Sequence, residues 1–426
     1  MARLAFLFLI MSLAVPPLSG APVRLLKSAS GWNLEVSEKP FFIKGVGCNI
    51  DRGEHGEDYL RMAQTMGANA VRTWGIVPLR YFDKARDNGL LVDAGIWFDP
   101  VRNGKPNSYM DTRYRQKLTR EVMAYVKMMK HHPALLSWNL GNEVFSHTDS
   151  EKEREAFGAF LKELIDAVHK EDPNHPVIYS CPDGTSELRY LKAHVPNLDI
   201  IGVNTYGGFR SAMRWLEVNH YDKPVIATEF GCRGGWSQPK DTNNMPYDPF
   251  DQYKAFDYDS LWRQIEDSRD RSLGGFAFVM GPQRNQFSLT WFNLNYGRER
   301  RQAFWDLYTL YTGKKPANAC PRIDTMQIEP AGPRAPGARV TVRTVAADPD
   351  GDRLQYRYFI TNIATDPWIV EAPRFYPTPI IRSGPGEAII VVPNDPGVYR
   401  VYVTVSDGHN NLAVANRSMR VRPPAD

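Results

Sequence analysis

The sequence contains only four cysteines among its 426 residues: Cys48, Cys181, Cys232 and Cys320. Their wide spacing matches no zinc-binding pattern, so the cysteines give no sign of a structural metal site. In an oxidising compartment they could form disulfides, whereas isolated cysteines with apolar neighbours are equally typical of small core side chains. The sequence does not decide between these two interpretations, and no pairing is predicted.

Long apolar runs and strong charge of one sign are also missing. Beyond the first residues, no segment has the roughly 18 uninterrupted apolar residues of a transmembrane helix, so no membrane span is expected in the mature chain. The formal net charge is +4 and includes no long Lys/Arg run. This charge is too weak to predict nucleic acid or an anionic membrane surface as a partner.

The amino-terminal residues follow a different pattern from the rest of the chain. Arg3 precedes an apolar run over residues 4–15, and the small residues Ser-Gly-Ala follow at 19–21. A charged start, a short apolar stretch and a small-residue ending are typical of a secretory signal peptide. Pro16 and Pro17 disfavour the alternative of a buried helix. The sequence therefore predicts a signal peptide over residues 1–21 and a secreted or periplasmic location.

The remaining chain changes character near residue 316. Apolar runs alternate with helical patterns before this point, and short alternating strands separated by Pro and Gly follow it. Segments such as RVTVRTVAA, RLQYRYFIT and VYRVYVTVSD are typical of an immunoglobulin-like β-sandwich. The segment GKKPANACPRI between the two parts resembles a linker. We therefore predict a first domain over residues 22–315 and a smaller all-β sandwich over 322–426, an accessory separable from the first domain near Gly313.

Eight apolar runs recur through the first domain, each followed by a candidate helix. Uninterrupted apolar runs indicate strands that are buried on both faces, as in a parallel sheet. Eight strand–helix units predict a closed (β/α)8 TIM barrel. An open doubly wound sheet is the alternative, but it usually has fewer strands, and no GxGxxG follows the first run. The runs are FFIKGVGCNI, ANAVRTWG, LLVDAGIWF, LLSWNLGNE, PVIYSCPD, DIIGVNTYGG, PVIATEFGC and GGFAFVMGP.

Polar residues close several of these runs, where a barrel of this type carries its active site. Run two ends in Arg72 and Trp74, run four in Glu143, run six in Tyr206 and run seven in Glu229. An ionisable side chain at the end of an apolar strand is costly to bury without a purpose. Glycoside hydrolysis requires two carboxyl groups, one that protonates the leaving oxygen and one that attacks the sugar carbon or activates water.

The motifs WNLGNE, ending at Glu143, and ATEFG, around Glu229, resemble the fourth- and seventh-strand motifs of clan A glycoside hydrolases. This clan holds the family two and family five barrels. FFIKGVG, GANAVRTWG and GLLVDAGI resemble the opening strands of family two barrels. The resemblance covers residues 40–310 and implies a retaining mechanism, with the two carboxyls about 5–5.5 Å apart.

The resemblance also implies a role for each matching residue. Glu143 matches the general acid/base, and Glu229 matches the nucleophile. Asn142 matches the residue that binds the sugar 2-hydroxyl, and Arg72 the arginine that keeps the nucleophile ionised. Tyr206 matches the residue that orients the nucleophile. This chemistry needs no metal ion and no cofactor, and none is predicted.

One position departs from the clan pattern. Clan A barrels often carry a Trp at the end of strand eight, whereas run eight closes here with Val279, Met280 and Gly281. Trp291, in the following loop, is predicted to supply the missing sugar-binding surface, and Trp74 is predicted to bind substrate as well. Packing inside the protein is the alternative for both indoles.

The predicted function is retaining hydrolysis of a β-linked oligo- or polysaccharide. A transglycosidase with the same two glutamates, a non-catalytic carbohydrate-binding barrel and a scaffold protein led by the sandwich are the alternatives. The presence of both carboxylates with Arg72 argues against binding alone. Sugar identity and linkage stay open. The acidic segment 348–352 resembles calcium-binding loops, although a simple acidic turn is the favoured interpretation.

Overall fold

The computed structural model describes residues 22–282, 288–362 and 374–423. The predicted signal peptide, residues 1–21, lies outside this range. The described chain begins with a small antiparallel sheet of three strands: β1 (Val23–Ser28), β2 (Gly31–Val36) and β3 (Lys39–Pro40). The backbone N–H of Trp32 donates to the carbonyl of Asp270 (2.8 Å), just before a barrel strand begins. The sheet therefore covers the amino-terminal end of the barrel, opposite the predicted active site.

The next eight strands form a closed parallel barrel, and each of them overlaps one of the eight apolar runs. The prediction of a (β/α)8 barrel is thus confirmed. In strand order around the ring, β10 lies between β9 and β11, and β11 closes against β4. The barrel strands are β4 (Ile43–Gly47), β5 (Ala70–Arg72), β6 (Leu91–Ile96), β7 (Leu135–Asn142), β8 (Val177–Pro182), β9 (Ile200–Thr205), β10 (Val225–Phe230) and β11 (Ser272–Ala277).

Helices pack around this ring through one apolar face each. In the longest helix, Phe157, Leu161, Leu164 and Val168 recur every three or four residues and are all buried. This spacing places them on a single stripe toward the strands. The helices are α1 (Tyr59–Thr65), α2 (Leu79–Asp87), α3 (Thr112–Met129), α4 (Val144–His147), α5 (Glu151–Glu171), α6 (Thr185–His194), α7 (Phe209–Val218), α8 (Asp251–Asp267) and α9 (Gln302–Thr312).

A short hairpin of β12 (Asn295–Tyr296) and β13 (Glu299–Arg300) precedes α9. The remaining described residues form two antiparallel four-stranded sheets, in the orders β14-β15-β19-β18 and β17-β16-β20-β21. Alternate residues of one long strand, Val401, Val403 and Val405, are fully buried between the sheets, as the period of two requires. The predicted β-sandwich is confirmed. Its strands are β14 (Arg322–Glu329), β15 (Arg339–Ala347), β16 (Gln355–Asn362), β17 (Phe375–Tyr376), β18 (Ile380–Gly384), β19 (Glu387–Val391), β20 (Gly397–Ser406) and β21 (Leu412–Val421).

The sandwich docks on the barrel through buried polar groups. Asp248, in the loop after β10, pairs with Lys254 (2.6 Å) and accepts a hydrogen bond from Asn416 of the sandwich (2.6 Å). Burial alone would raise the pKa of Asp248, but the charges of Lys254 and Arg400 lower it to about 2. A carboxylate held this firmly in its charged form depends on partners from both domains.

The loops after β10 and β11 are attached to the sandwich at further points. Asn243 donates to Ser418 (2.7 Å), and the backbone N–H of Leu289 donates to the Tyr402 hydroxyl (3.0 Å). Asp251, which forms a buried ion pair with a barrel arginine, also accepts the N–H of a β21 residue. These contacts argue against a separable accessory, because the sandwich supplies partners to buried groups of the barrel loops.

A chain ended at Gly313 is expected to be largely insoluble and inactive. The truncation removes Asn416 and Arg400 and leaves the Asp248 carboxylate with an incomplete set of partners. Breaking one buried charge pair typically costs about 3–5 kcal/mol, and several contacts would be lost together. Soluble yield and thermal unfolding, compared with the full chain, test the prediction. A soluble, cooperatively folded and active truncation would contradict it.

All four cysteines are buried and unpaired in the structure.

Asp348, Asp350 and Asp352 lie within 4.8 Å of one another at their carboxylates. One oxygen of Asp348 accepts the backbone N–H groups of the other two, so the segment forms an aspartate-capped turn. In the part of the chain that the structure describes, no helix is both long and apolar enough to cross a bilayer.

Candidate active site

A cleft of about 840 Å³ opens at the carboxyl ends of the barrel strands. This is the face where barrels of this type place their reacting groups, because strand ends and loops converge there. Five of the seven predicted site residues line it: Trp74, Asn142, Glu143, Tyr206 and Glu229.

Glu229 lies on β10, next to its last residue, with 6% of its surface exposed. Three donors bind its carboxylate. The Arg72 guanidinium (2.8 Å) and the Trp74 indole N–H (2.7 Å) donate to Oε1, and the Tyr206 hydroxyl (2.6 Å) donates to Oε2. Charge-assisted hydrogen bonds of this kind fix both the orientation of a carboxylate and its negative charge.

Arg72 lies below the cleft and is 1% exposed. Besides Glu229, its two terminal nitrogens donate to the Thr228 carbonyl (3.0 Å), Asn142 Oδ1 (2.8 Å) and Ser180 Oγ (3.1 Å). The planar fork of a guanidinium can bind these groups simultaneously, whereas a lysine ammonium could not reach them all. Arg72 therefore links the ends of four barrel strands to one carboxylate.

Burial raises the pKa of the Glu229 carboxyl above its usual range. Arg72 opposes this rise, the charge of Glu143 adds to it, and the hydrogen bonds from Tyr206 and Trp74 lower the pKa again. The ion pair with Arg72 favours the charged form of Glu229, which is the form that a nucleophile needs.

Tyr206→Phe is expected to move the acid limb of the pH dependence of kcat/KM to higher pH. The hydroxyl lowers the pKa of Glu229, so its loss raises that pKa, and the ionised form then appears only at more alkaline pH. The hydroxyl stabilises the carboxylate before the reaction as well as during it, so the expected result is a shift of the acid limb and a much smaller change on the plateau where Glu229 is ionised in both proteins. Tyr125→Phe, at a buried tyrosine outside the cleft, serves as control. An unshifted acid limb would contradict the assignment.

Glu143 follows β7 in the left-handed backbone region, with φ of 51°. Its backbone N–H donates to the Ser180 carbonyl (2.8 Å), which holds the turn against the neighbouring strand. Asn204 donates to Glu143 Oε1 (2.7 Å), and His147 Nε2 lies 3.1 Å from Oε2. The Glu143 side chain is 18% exposed, so it is the more accessible carboxyl of the two.

A buried pair, Tyr179 and Glu187, supports the turn that presents Glu143. The Tyr179 hydroxyl accepts the backbone N–H of Val144 (2.8 Å) and donates to Glu187 (3.0 Å). Glu187 also accepts the N–H of Ser146 (2.6 Å). Sequence reasoning missed both residues, because nothing local distinguishes a glutamate in a helix from the solvated glutamates around it.

Glu187→Gln is expected to remove a pH dependence of stability between about pH 4.5 and pH 8. Burial raises the pKa of Glu187 from 4.5 to about 8. The folded protein therefore retains a proton that the unfolded chain releases, and stability is lost as the pH rises toward 8. At alkaline pH the effect should be on the order of a few kcal/mol. Glutamine keeps an acceptor for Ser146 but does not titrate.

Thermal unfolding of the wild type and Glu187→Gln across this pH range measures how the stability of each protein changes with pH. Glu163→Gln, the same change at an exposed position of α5, is the control and should show the same change of stability with pH as the wild type. Equal slopes in wild type and Glu187→Gln would contradict the prediction.

Trp291 does not line the cleft, contrary to the prediction. It is fully buried, and its indole N–H donates to the Arg233 carbonyl (3.0 Å). Phe278, directly after β11, supplies an aromatic surface instead, and its ring lies edge-to-face with Trp74, with centroids 5.4 Å apart. The error arose because run eight was extended to Gly281, whereas the strand ends at Ala277.

Asn142 contacts both the support of Glu229 and the cleft. Its side-chain oxygen accepts from Arg72 (2.8 Å) and from Asn204 (3.0 Å). Because two donors already bind the side-chain oxygen of Asn142, its amide nitrogen is the group that can donate to a substrate hydroxyl. Asn204 also binds Glu143, so the two asparagines connect the surroundings of both carboxyls.

Comparison with known proteins adds independent information. Residues 98–273 match the family model of the glycosyl hydrolases family 2 TIM barrel domain. A 1,3-beta-glucanosyltransferase of Saccharomyces cerevisiae is 27% identical over 271 residues, which cover 53% of this chain and 56% of that protein. Human beta-glucuronidase is 24% identical over 234 residues, covering 46% of this chain and 32% of that protein. The chain thus spans only part of the length of these relatives.

Solved structures show the same fold. A Bacteroides uniformis beta-glucuronidase superposes with a TM-score of 0.55 at 15% identity, covering 94% of this chain and 48% of that chain. A Bifidobacterium dentium beta-glucuronidase gives 0.52 at 18% identity, covering 68% and 49%. The resemblance of the barrel to clan A glycoside hydrolases of the family two type is confirmed.

Proposed function

We propose that the protein is a retaining glycosidase that cleaves β-linked glycans by double displacement. The observation that carries this proposal is the unequal setting of two carboxyls at one cleft. Glu229 is buried under three donors that include an arginine, whereas Glu143 is more exposed and has no arginine partner among the residues that the structure describes. Such a difference separates a nucleophile, which must be ionised to react, from a group that gives and takes a proton.

In the first step, the Glu229 carboxylate attacks the anomeric carbon while Glu143 transfers its proton to the leaving oxygen. The C–O bond to the leaving group breaks, and an ester between the sugar and Glu229 forms. Arg72, Trp74 and Tyr206 hold the attacking carboxylate in place throughout. Asn142 can donate to the sugar 2-hydroxyl.

In the second step, Glu143, now a carboxylate, takes a proton from water, and the resulting hydroxide equivalent attacks the anomeric carbon. The ester bond breaks, Glu229 regains its charge, and Glu143 regains its proton. Both steps invert the anomeric centre, so the product keeps the configuration of the substrate.

A 2-deoxy-2-fluoro aryl glycoside tests this proposal, because it slows the second step enough for the ester to accumulate. Glucosyl, galactosyl and glucuronyl probes should be compared. Mass spectrometry should find one glycosyl adduct on the peptide that contains Glu229, and proton NMR should show early product with the anomeric configuration of the substrate. Inverted product from the wild-type protein would overturn the retaining mechanism.

A transglycosidase is the second candidate, and the matching yeast 1,3-beta-glucanosyltransferase favours it. Transfer uses the same glycosyl ester but ends in attack by a sugar hydroxyl instead of water. Product analysis at low oligosaccharide concentration separates the two, because a hydrolase then passes the ester mainly to water, whereas a transferase still makes products longer than its substrate. We also propose that the protein is exported, as residues 1–21 predict.

A further inference from the structure

Two half-exposed tryptophans lie on opposite sides of the catalytic cleft. Trp97 follows β6 and Trp236 follows β10, and these strands are four positions apart in the ring of eight. Trp97 is 48% exposed and Trp236 is 58% exposed, although both line the cleft. Aromatic rings that line a cleft and stay uncovered offer a large apolar contact area to a bound molecule.

Both indoles are held in place. Trp97 donates from its ring nitrogen to Asp99 (3.0 Å). The Trp236 ring packs edge-to-face with Tyr206, with ring centroids 5.4 Å apart, and in a tilted contact with Phe292, with centroids 6.1 Å apart. Its loop is also tied to the sandwich farther along the chain. Preorganised rings lose little conformational freedom when a ligand covers them, which favours binding.

The catalytic pair lies between these two rings. Glu143 directly follows β7, the neighbour of the strand that Trp97 follows, and Glu229 lies on β10, the strand that precedes Trp236. A sugar bound at the catalytic pair would contact the central aromatic surface of Trp74 and leave the two outer rings uncovered. Each outer ring offers a flat apolar face, which suits the C–H face of a further sugar ring.

We propose, building on the function proposed above, that the cleft binds consecutive sugar residues on both sides of the cleaved linkage. The enzyme then cuts internal bonds of a β-glycan chain, with Trp97 and Trp236 as the residues that determine this specificity. A terminal-sugar cleaving enzyme needs only one side of such a cleft, since its substrate ends at the catalytic pair.

Reducing-end-labelled β-1,3-, β-1,4- and β-1,6-gluco-oligosaccharides, from disaccharide to octasaccharide, test the inference. Cleavage should occur at internal bonds, and kcat/KM should rise with chain length. Trp97→Ala and Trp236→Ala should each lower kcat/KM on the longest cleaved chain about tenfold more than on an aryl monoglycoside. Phe256→Ala, at an aromatic residue 69% exposed on α8 outside the cleft, should change neither activity.

Release of terminal sugars alone, at a rate independent of chain length, would overturn the inference. So would an enzyme that turns over aryl glycosides but none of the oligosaccharides, or tryptophan variants with equal losses on long and short substrates. None of these outcomes affects labelling of Glu229 by a fluoro-glycoside, so failure of the inference is distinguishable from failure of the proposed function.

Discussion

Glu229→Gln is expected to lower kcat by on the order of 10⁵-fold and to abolish labelling by the 2-deoxy-2-fluoro probe. The amide is nearly isosteric with the carboxylate, so the fold should be unchanged. It has no charge for Arg72 to stabilise and cannot form the glycosyl ester. Turnover of aryl glycosides, together with intact-mass measurement of the labelled protein, checks both parts of the expectation.

The same change at another buried glutamate is the control. Glu153 is 8% exposed, lies outside the cleft and accepts hydrogen bonds from Ser108 and the Tyr109 backbone. Glu153→Gln should label normally and keep most of its activity. A Glu229→Gln protein that still accumulates the adduct would remove Glu229 from the nucleophile role.

Glu143→Ala is expected to lower kcat/KM by about 10²–10⁴-fold on substrates with poor leaving groups. Aryl glycosides with good leaving groups should lose much less in the first step, since their departing oxygen needs little protonation. Their glycosyl ester should then accumulate, because no base remains to activate water. Azide should restore turnover by attacking the ester directly and give a glycosyl azide of retained configuration.

Steady-state rates over a series of aryl leaving groups, with and without azide, measure this difference. Azide should not rescue Glu229→Gln in the same way, because that variant forms no ester. Equal losses on all leaving groups, with no azide product, would contradict the acid/base assignment.

The sequence alone predicted the architecture, because each barrel strand carries its own local signal. A parallel strand buried on both faces is a continuous apolar run, and eight such runs with helical patterns between them indicate a closed barrel. The same logic located Glu143 and Glu229, since a charged residue at the end of an apolar run stands out by its position alone. The prediction that all these ends meet at one face follows from parallel strand topology.

Other features depended on contacts between residues far apart in the chain. Nothing in the segment around Glu187 reveals that it supports the turn after β7, and nothing near Trp291 reveals that its ring is fully buried. The end of β11 was misplaced because apolar residues continue past it, so Phe278 was overlooked. The docking of the sandwich was also unforeseen, because Asp248 and Asn416 lie 168 residues apart.

The features that the sequence predicted depend on local patterns, whereas the features that it did not predict depend on long-range contacts. Hydrophobic periodicity and strand-end polarity act within a few residues, and they determined the barrel, the sandwich and the positions of the two carboxyls. The donors that give each carboxyl its character come from other strands: Arg72 reaches Glu229 across 157 residues of sequence. Only the closed barrel brings such groups within hydrogen-bond distance, so only the tertiary structure decided which residues support each carboxyl and which line the cleft.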